Sequence, residues 1–495
     1  MKKNRLILAI LATIGLVLSC NEDSLELSNP NELSPDTFLT NATQVESAVI
    51  AVYSNLQTRG LFSRHMFFMM DNMAHENGGN NQLEADKRQY LDFSFDSSHG
   101  AIGAYWESCY RGINKANYVI ENKAAIDEII PSVMSNASKA KAIAEAKFLR
   151  ALFYFFIVTR YGDAPLITTL PPDDGAGFGK SPKEEIYAQI IQDLQDAIPD
   201  LLPKGQEENG RATRGAAQAL LGKVYLFLER YDDALGMFNA LQGYALEDNY
   251  FDNFMEETEF GVESIFEIQY DDDLGFSAQW NSDRSGEGPN EATFRGQEYG
   301  FNDWFNVFPS DDLLNEYEDG DIRFEQTFYV NGDTFGPDGS LTVDHFPSNG
   351  GGNAGWRKYQ NYYKDANEDQ TSGINFKYLR YADVLLMMAE CESMRPGGDQ
   401  DVAVGYINQV RERAELAPLP TGLSPAEVFD ALVHERKVEL AGEQCRFNDI
   451  IRWGIADTEL AGTNFQTGKH ELLPIPQPEI DANINLSSAD QNPGY

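Results

Sequence analysis

The stretch LLGKVYLFLERYDDALGMF, Leu220 to Phe238, leaves few folds open. It sets Leu221, Gly222 and Tyr225 ahead of Ala234 and Phe238, the L-G-x-x-Y and A-x-x-x-F elements of a helix–turn–helix repeat. With no side chain at Gly222 and a methyl at Ala234, the two helices can approach closely, while Leu221, Tyr225 and Phe238 fill the space around the contact. Gln218 stands where the repeat consensus carries tryptophan, so the unit is divergent. Such a pair cannot bury its own faces, and about four of them are expected to stack. YADVLLMMAECESM followed by VAVGYINQVRERA offers a second pair.

Helical periodicity runs over about 34–241 and 376–454. Between them, about 244–375, the composition shifts to glycine, asparagine, aspartate and aromatics, as in QWNSDRSGEGPN and YGFNDWFNVFPSDD. The expected fold is mainly α, with helical pairs supporting an irregular, loop-rich insertion that holds short strands such as SIFEIQY and RFEQTFYV. Helix starts are predicted at SPKE (Ser181–Glu184) and SPAE (Ser424–Glu427), each with a serine cap, a proline at the first helical position and a glutamate three residues after the cap. Ser34 with Pro35 repeats half of that signal. YGDAP, with Gly162 and Pro165, and RPGG, Arg395 to Gly398, mark helix ends.

The amino terminus carries a different message. Lys2, Lys3 and Arg5 precede an apolar run, Leu6 to Leu18, then Ser19 and Cys20. The run is shorter than the roughly 20 residues of a membrane-spanning helix and has the length of a signal peptide. A small residue before cysteine reads as a lipobox: residues 1–19 are removed, Cys20 receives lipid, and 20–495 form one domain. Cys109, Cys391 and Cys445 then remain, too few and too far apart for a disulfide framework; Cys391 and Cys445 could pair after export, but their apolar helical patterns favour buried free thiols.

A formal charge of -40 repels phosphate backbones and argues against nucleic acid as a partner. It also favours a neutral over an anionic ligand. No cofactor is called for. The acids at Asp271–Asp273 and at Asp319 and Asp321 could hold a structural calcium, but no EF-hand loop pattern surrounds them, and solvated surface accounts for them. The histidines show no metal-ligand spacing and no G-x-S-x-G elbow occurs.

By NFKYLRYADVLLMMAECES the chain is similar to the SusD/RagB family of outer-membrane lipoproteins. WESCYRGINKANYVIE from Trp106, EAKFLRALFYFFIVTRYGDAPLI from Glu145, RATRGAAQALLGKVYL from Arg211, INQVRERA from Ile407, HERKVELAGEQCRFNDIIRWG from His434 and LLPIPQPEI before the carboxyl end follow in family order. The resemblance implies four tetratricopeptide-like helical pairs and a role in capturing oligosaccharide or polysaccharide at the cell surface. It further implies delivery to a partner SusC-like TonB-dependent barrel. The acidic residues after Cys20 resemble a surface-export signal, so the chain is expected to face outward from the outer membrane on its lipid anchor. The alternatives are a surface glycoside hydrolase and a protein-binding repeat scaffold.

The family motifs themselves read as structural: Arg380 with Asp383, and Arg446 with Asp449, lie three apart on a helix and read as ion pairs tying helices together. Sugar recognition needs flat aromatic faces beside amides, carboxylates or guanidinium groups. Trp280 with Asn281, Asp283 and Arg284 meets that need in a glycine-rich loop, and Trp304 lies among Asn302, Asp303 and Asn306. Trp356 alternates like a strand residue and is expected to be structural. The resemblance also implies ligand contacts after the first helix, where SRHMFFMMDNMAHENGGNNQLEAD reads as a loop offering Arg64, Asp71, Asn72, Glu76, Asn80 and Asn81.

Overall fold

In a computed structural model, residues 39–495 are described apart from 171–176, 273–279, 281, 283–287, 345, 347–351 and 369. The signal segment, Cys20, the Ser34–Pro35 signal, Asn281, Asp283 and Arg284 therefore lie outside the described residues. Among the described residues no helix is long and apolar enough to cross a membrane.

The first helical block contains α1 (Ala42–Tyr53), α2 (His65–Met73), α3 (Ala85–Asp92), α4 (Gly100–Glu121), α5 (Asn136–Tyr161), α6 (Lys183–Ala197), α7 (Arg214–Phe227) and α8 (Tyr231–Phe238). The second contains α9 (Tyr381–Met394), α10 (Gln400–Arg413), α11 (Pro425–Glu439) and α12 (Arg446–Arg452). Consecutive helices pack as α4 on α5, α5 on α6, α7 on α8 and α9 on α10, and α8 on α9 joins the two blocks. The repeat signature works as its residue types predict: a Cβ at Gly222 would lie 2.4 Å from the Phe238 ring. Only glycine permits that approach.

Several helix boundaries follow the sequence closely. Ser424 and Glu427 form a reciprocal capping box at α11, with Pro425 leading the helix. Gly162 closes α5 at a φ of 67°, and Gly397 turns after α9 at 76°. The SPKE expectation is corrected: Ser181 pairs in a short strand with Ala164, and the first N–H of α6, at Lys183, donates 2.9 Å to Asp163 Oδ1. A side chain from a preceding turn does the capping. Cys109, Cys391 and Cys445 are free thiols.

The insertion is as loop-rich as expected, with short helices and two-stranded pairs. Its ends are closed by one ribbon, Ser264–Ile268 antiparallel to Phe376–Arg380. Phe376–Arg380 is thus a strand, and the second helical block starts at Tyr381. RFEQTFYV is also corrected. Arg323–Thr327 is a short helix and only Phe328–Tyr329 is strand, because Asp321 accepts the Arg323 N–H at 2.9 Å and turns the chain.

Buried charge joins insertion to scaffold. Arg380 reaches Glu263 at 2.7 Å, Glu439 at 2.5 Å and Glu443 at 2.6 Å, with all four side chains buried. Glu439 also pairs with Arg413, and with Arg323 at 2.9 Å. Arg323 holds Asp321 and Glu435 as well. The RYAD and RFND ion pairs do tie helices together, and only the pairing within each motif is corrected: Arg380 precedes the helix, and Asp383 instead binds Lys223 and Arg436. Arg446 binds Glu459, while Asp449 serves Arg436 and Arg452. The motif residues are structural and bind across elements, with Asp449 adding one pair inside α12, to Arg452.

Removing one partner of such a set leaves buried carboxylates uncompensated, so Arg380→Met should cost about 3–5 kcal/mol in urea melts. Burial pushes the Glu439 and Glu263 carboxyls up, but Arg413 and Arg380 outweigh it and hold both below their ordinary range. The unfolded chain takes up these protons first as pH falls. The stabilisation is full above about pH 4.5 and is lost as pH drops through the lowered folded values. Stability between about pH 6 and pH 3 should fall steeply in the wild type and less steeply in Arg380→Met.

Candidate functional site

Trp280 and Trp304 meet on the surface of the insertion. Their rings are 6.5 Å apart between centroids and within 20° of parallel. Trp280 is 39% exposed and Trp304 is half-buried. Two near-parallel indoles with open area form a platform on which a flat apolar face can stack.

Arg64 fixes the platform from below. Its guanidinium carbon lies 4.8 Å from the Trp280 ring centroid, and Phe294 packs at 4.5 Å from the same ring. Arg64 is itself held by Glu298 at 2.5 Å and Glu84 at 3.1 Å. Glu298 is fully buried and accepts from Asn306 Nδ2 at 2.5 Å, so Asn306 braces the loop that carries Trp304. Burial pushes the Glu298 carboxyl up, against the pull of Arg64. Glu84 stays half-exposed, and there Arg64 and Lys87 outweigh burial and hold the carboxyl down.

The stretch expected as a loop after the first helix is a correction. His65–Met73 is a helix buried on every side, and Asn77–Gly79 is a strand paired with Val307–Pro309. Asp71 accepts from the Tyr299 hydroxyl at 2.8 Å and sits 3.6 Å from Arg295. Asn72 donates to the Lys87 carbonyl at 3.1 Å and accepts from Asn77 Nδ2 at 2.9 Å. Glu76 accepts the Gly442 N–H at 3.3 Å. These side chains are buried and face inward. Asn80 binds the Phe305 carbonyl and the Gln82 N–H, pinning the turn 80–84 beside the Trp304 loop.

What that turn exposes is Asn81, Gln82 and Glu84. Asn81 is thus the residue of the expected loop that reaches solvent, and Gln82 and Glu84 join it without having been foreseen. No local pattern marks them, because what brings them to the platform is the Asn80 contact with residues more than two hundred positions away. Asn302 is exposed but tied down, its amide donating to Ala366 O and Asn367 Oδ1, both at 2.9 Å. Asp303 accepts the Tyr362 hydroxyl at 2.6 Å. Trp356 is buried in a short strand, its indole N–H donating 2.8 Å to Asn77 Oδ1, as its structural reading predicts.

Asp321 turns inward onto Arg323, and among the described residues no group of three or more histidine, cysteine, aspartate or glutamate side chains is placed to hold a metal ion. The site's resources are aromatic faces, amides and one half-exposed carboxylate. That set stacks and hydrogen-bonds.

Comparison with known proteins places this geometry in context. Residues 262–495 match a family model described as "SusD family", and residues 23–226 one described as "Starch-binding associating with outer membrane". The "SusD-like protein P2" of Formosa agariphila is 28% identical over the full length of both chains. A solved "Laminarin binding SusD-like protein" superposes with a TM-score of 0.77 at 26% identity, covering 92% of this chain and all of its own. A SusD superfamily protein from Bacteroides vulgatus gives a TM-score of 0.76 at 26% identity, over 93% of this chain and all of its own.

The inward carboxyls generate a prediction of their own. Burial, reinforced by the Asp71 charge, pushes the Glu76 carboxyl up, and burial raises Asp71 as well. The fold keeps these protons where the unfolded chain has released them, so the pair's contribution is full below about pH 4 and is lost as pH rises. Glu76→Gln keeps the shape and cannot titrate. Denaturant midpoints should therefore decline less between about pH 5 and pH 8 in Glu76→Gln than in the wild type. An identical slope would mean that Glu76 is ionised in the fold.

Proposed function

The chain belongs to the SusD/RagB family, and from that premise we propose that it is a non-catalytic glycan-binding lipoprotein of the outer-membrane surface. The observation that carries this reading is the Trp280–Trp304 platform, an exposed and a half-buried ring lying near-parallel, with the exposed turn residues Asn81, Gln82 and Glu84 beside them. Sugar C–H faces stack on such rings while amides and carboxylates take the hydroxyls. The similarity to a laminarin-binding protein supports glycan as the ligand class, and the family description supports the outer membrane. The acidic surface favours a neutral glycan. Captured oligosaccharide would pass to a SusC-like TonB-dependent barrel, with Cys20 lipid as the anchor.

Calorimetry against a panel of neutral glycans, laminarin and starch included, tests the site. Trp280→Ala should weaken binding roughly 5- to 30-fold, the loss of about 1–2 kcal/mol of stacking, and Trp304→Ala should weaken it less because its ring is less exposed. No binding to any glycan, or binding indifferent to both changes, would overturn the proposal. Prolonged incubation should release no product. Cys20→Ala should leave glycan binding by the purified protein intact and abolish its retention in membranes, checked by fractionation; a variant that stays membrane-bound would make lipid dispensable.

A further inference from the structure

A cleft of about 720 Å³ opens beside the platform, in the size range of small-molecule and oligosaccharide sites. Its floor is one face of α4, where Gly100 and Gly103 leave the backbone bare and Trp106 and Tyr110 follow, with ring centroids 4.7 Å apart. The opposite wall is Pro476, Pro478 and Glu479. That wall is held in place by the Gln477 N–H, which donates 2.8 Å to the Ser97 carbonyl. Polar groups at the rim include Glu107, Arg111 and Asn114. Tyr110 and the prolines give the cleft apolar surface below its amides and charges, with Trp106 buried behind Tyr110.

The two sites share a wall. The Arg59 N–H donates 2.8 Å to Ser282 Oγ, and Arg111 Nη1 donates 3.4 Å to the Ser282 carbonyl, and both arginines line the cleft. Ser282 is two residues from Trp280, within about 7 Å of chain reach. On the other side, the chain from Arg59 arrives five residues later at Arg64, beneath the Trp280 ring. Ser282 is itself buried, so it forms the partition between the sites, and the cleft begins on the far side of that partition from the platform.

Resting on the glycan-binding reading, we propose that this cleft is a second subsite, which takes further units of the same neutral oligosaccharide whose first units stack on Trp280 and Trp304. Two linked subsites raise the affinity for a chain long enough to fill both, because the second contact is intramolecular. The site thereby selects for length.

The bare floor supplies the test. A Cβ at Gly103 meets nothing closer than Pro476 Cβ at 4.0 Å, so Gly103→Leu projects a side chain from the floor into the cleft and replaces a helix-interior glycine with a better helix former. Length-graded β-glucan, α-glucan, mannan and xylan oligosaccharides of about two to ten units are titrated against wild type, Gly103→Leu and Trp280→Ala. Gly103→Leu is expected to bind the shortest ligands within about twofold of wild type, which also reports that it is folded, and the longest about tenfold more weakly. Asn114→Ala, at the rim, should shift the long ligands in the same direction. Trp280→Ala should weaken every length. If the dependence on length is the same in Gly103→Leu and wild type while Trp280→Ala still weakens binding, the subsite is wrong and the platform stands. If Gly103→Leu spares all glycans but loses co-purification of the barrel, the cleft docks protein and the subsite is equally overturned. If no oligosaccharide binds the wild type, the platform reading fails and takes the subsite with it.

Discussion

The structure hangs on the carboxylate Glu439 and the three arginines around it. Arg380 closes the ribbon that ends the insertion, Arg413 ends α10, and Arg323 lies inside the insertion, so one buried anion at the end of α11 gathers three separate parts of the chain. Glu263 adds the fourth tie, since it precedes the ribbon's first strand and meets Arg380 at 2.7 Å. Burying this many charges is unfavourable unless each is paired, and guanidinium suits the task because its fork satisfies two carboxylates at once. In a chain with 78 acids against 38 bases, arginines committed to the interior are withdrawn from the surface. The same network takes the carboxylates of Glu263, Asp321, Glu435, Glu439 and Glu443 inside with them.

With its two ends clamped side by side, the insertion is a closed excursion from the scaffold. Its loops can vary in sequence without moving the helices, because the ribbon rather than the loop sets where the chain leaves and returns. What the loops need is a rigid base, which α2 provides. Every residue of that helix is buried, and its polar members tie into a chain running from Asn72 through Asn77 and Tyr299 to Asp71. Trp280 then rests on Arg64, the residue that leads into α2. The platform is exposed above and over-determined below.

This division explains what could be read from sequence. The α7–α8 hairpin was legible because its decisive contact, Gly222 on Phe238, joins residues sixteen apart within one repeat. The capping box at Ser424 is more local still. Trp280 was legible as an exposed ring because polar loop residues flank it. Arg64, Asp71 and Asn80 were not legible as inward-facing, since their partners Glu298, Tyr299 and Phe305 lie more than two hundred residues on. A polar side chain in an apolar stretch looks the same whether it awaits a ligand or a distant carboxylate. RYAD failed for a related reason: three-residue spacing suggested a helical pair, but the strand partner Ser264–Ile268 claimed Arg380 before the helix began.

Charge at the site narrows the proposed ligand further. Among the described residues Arg64 is the cation seated on Trp280, and it lies under the ring with two carboxylates already on it. Lys87 likewise serves Glu84 and Asp86. What faces a ligand at the platform's edge is Glu84, with amides beside it. A sulfated or uronic sugar would bring its charge to that carboxylate, at a surface whose long-range field already repels anions. A neutral sugar meets no such opposition, and its hydroxyls can donate to Glu84 while its apolar face covers the indoles. Arg64 thus serves recognition by holding Trp280 in place, with its charge spent on the protein's own acids.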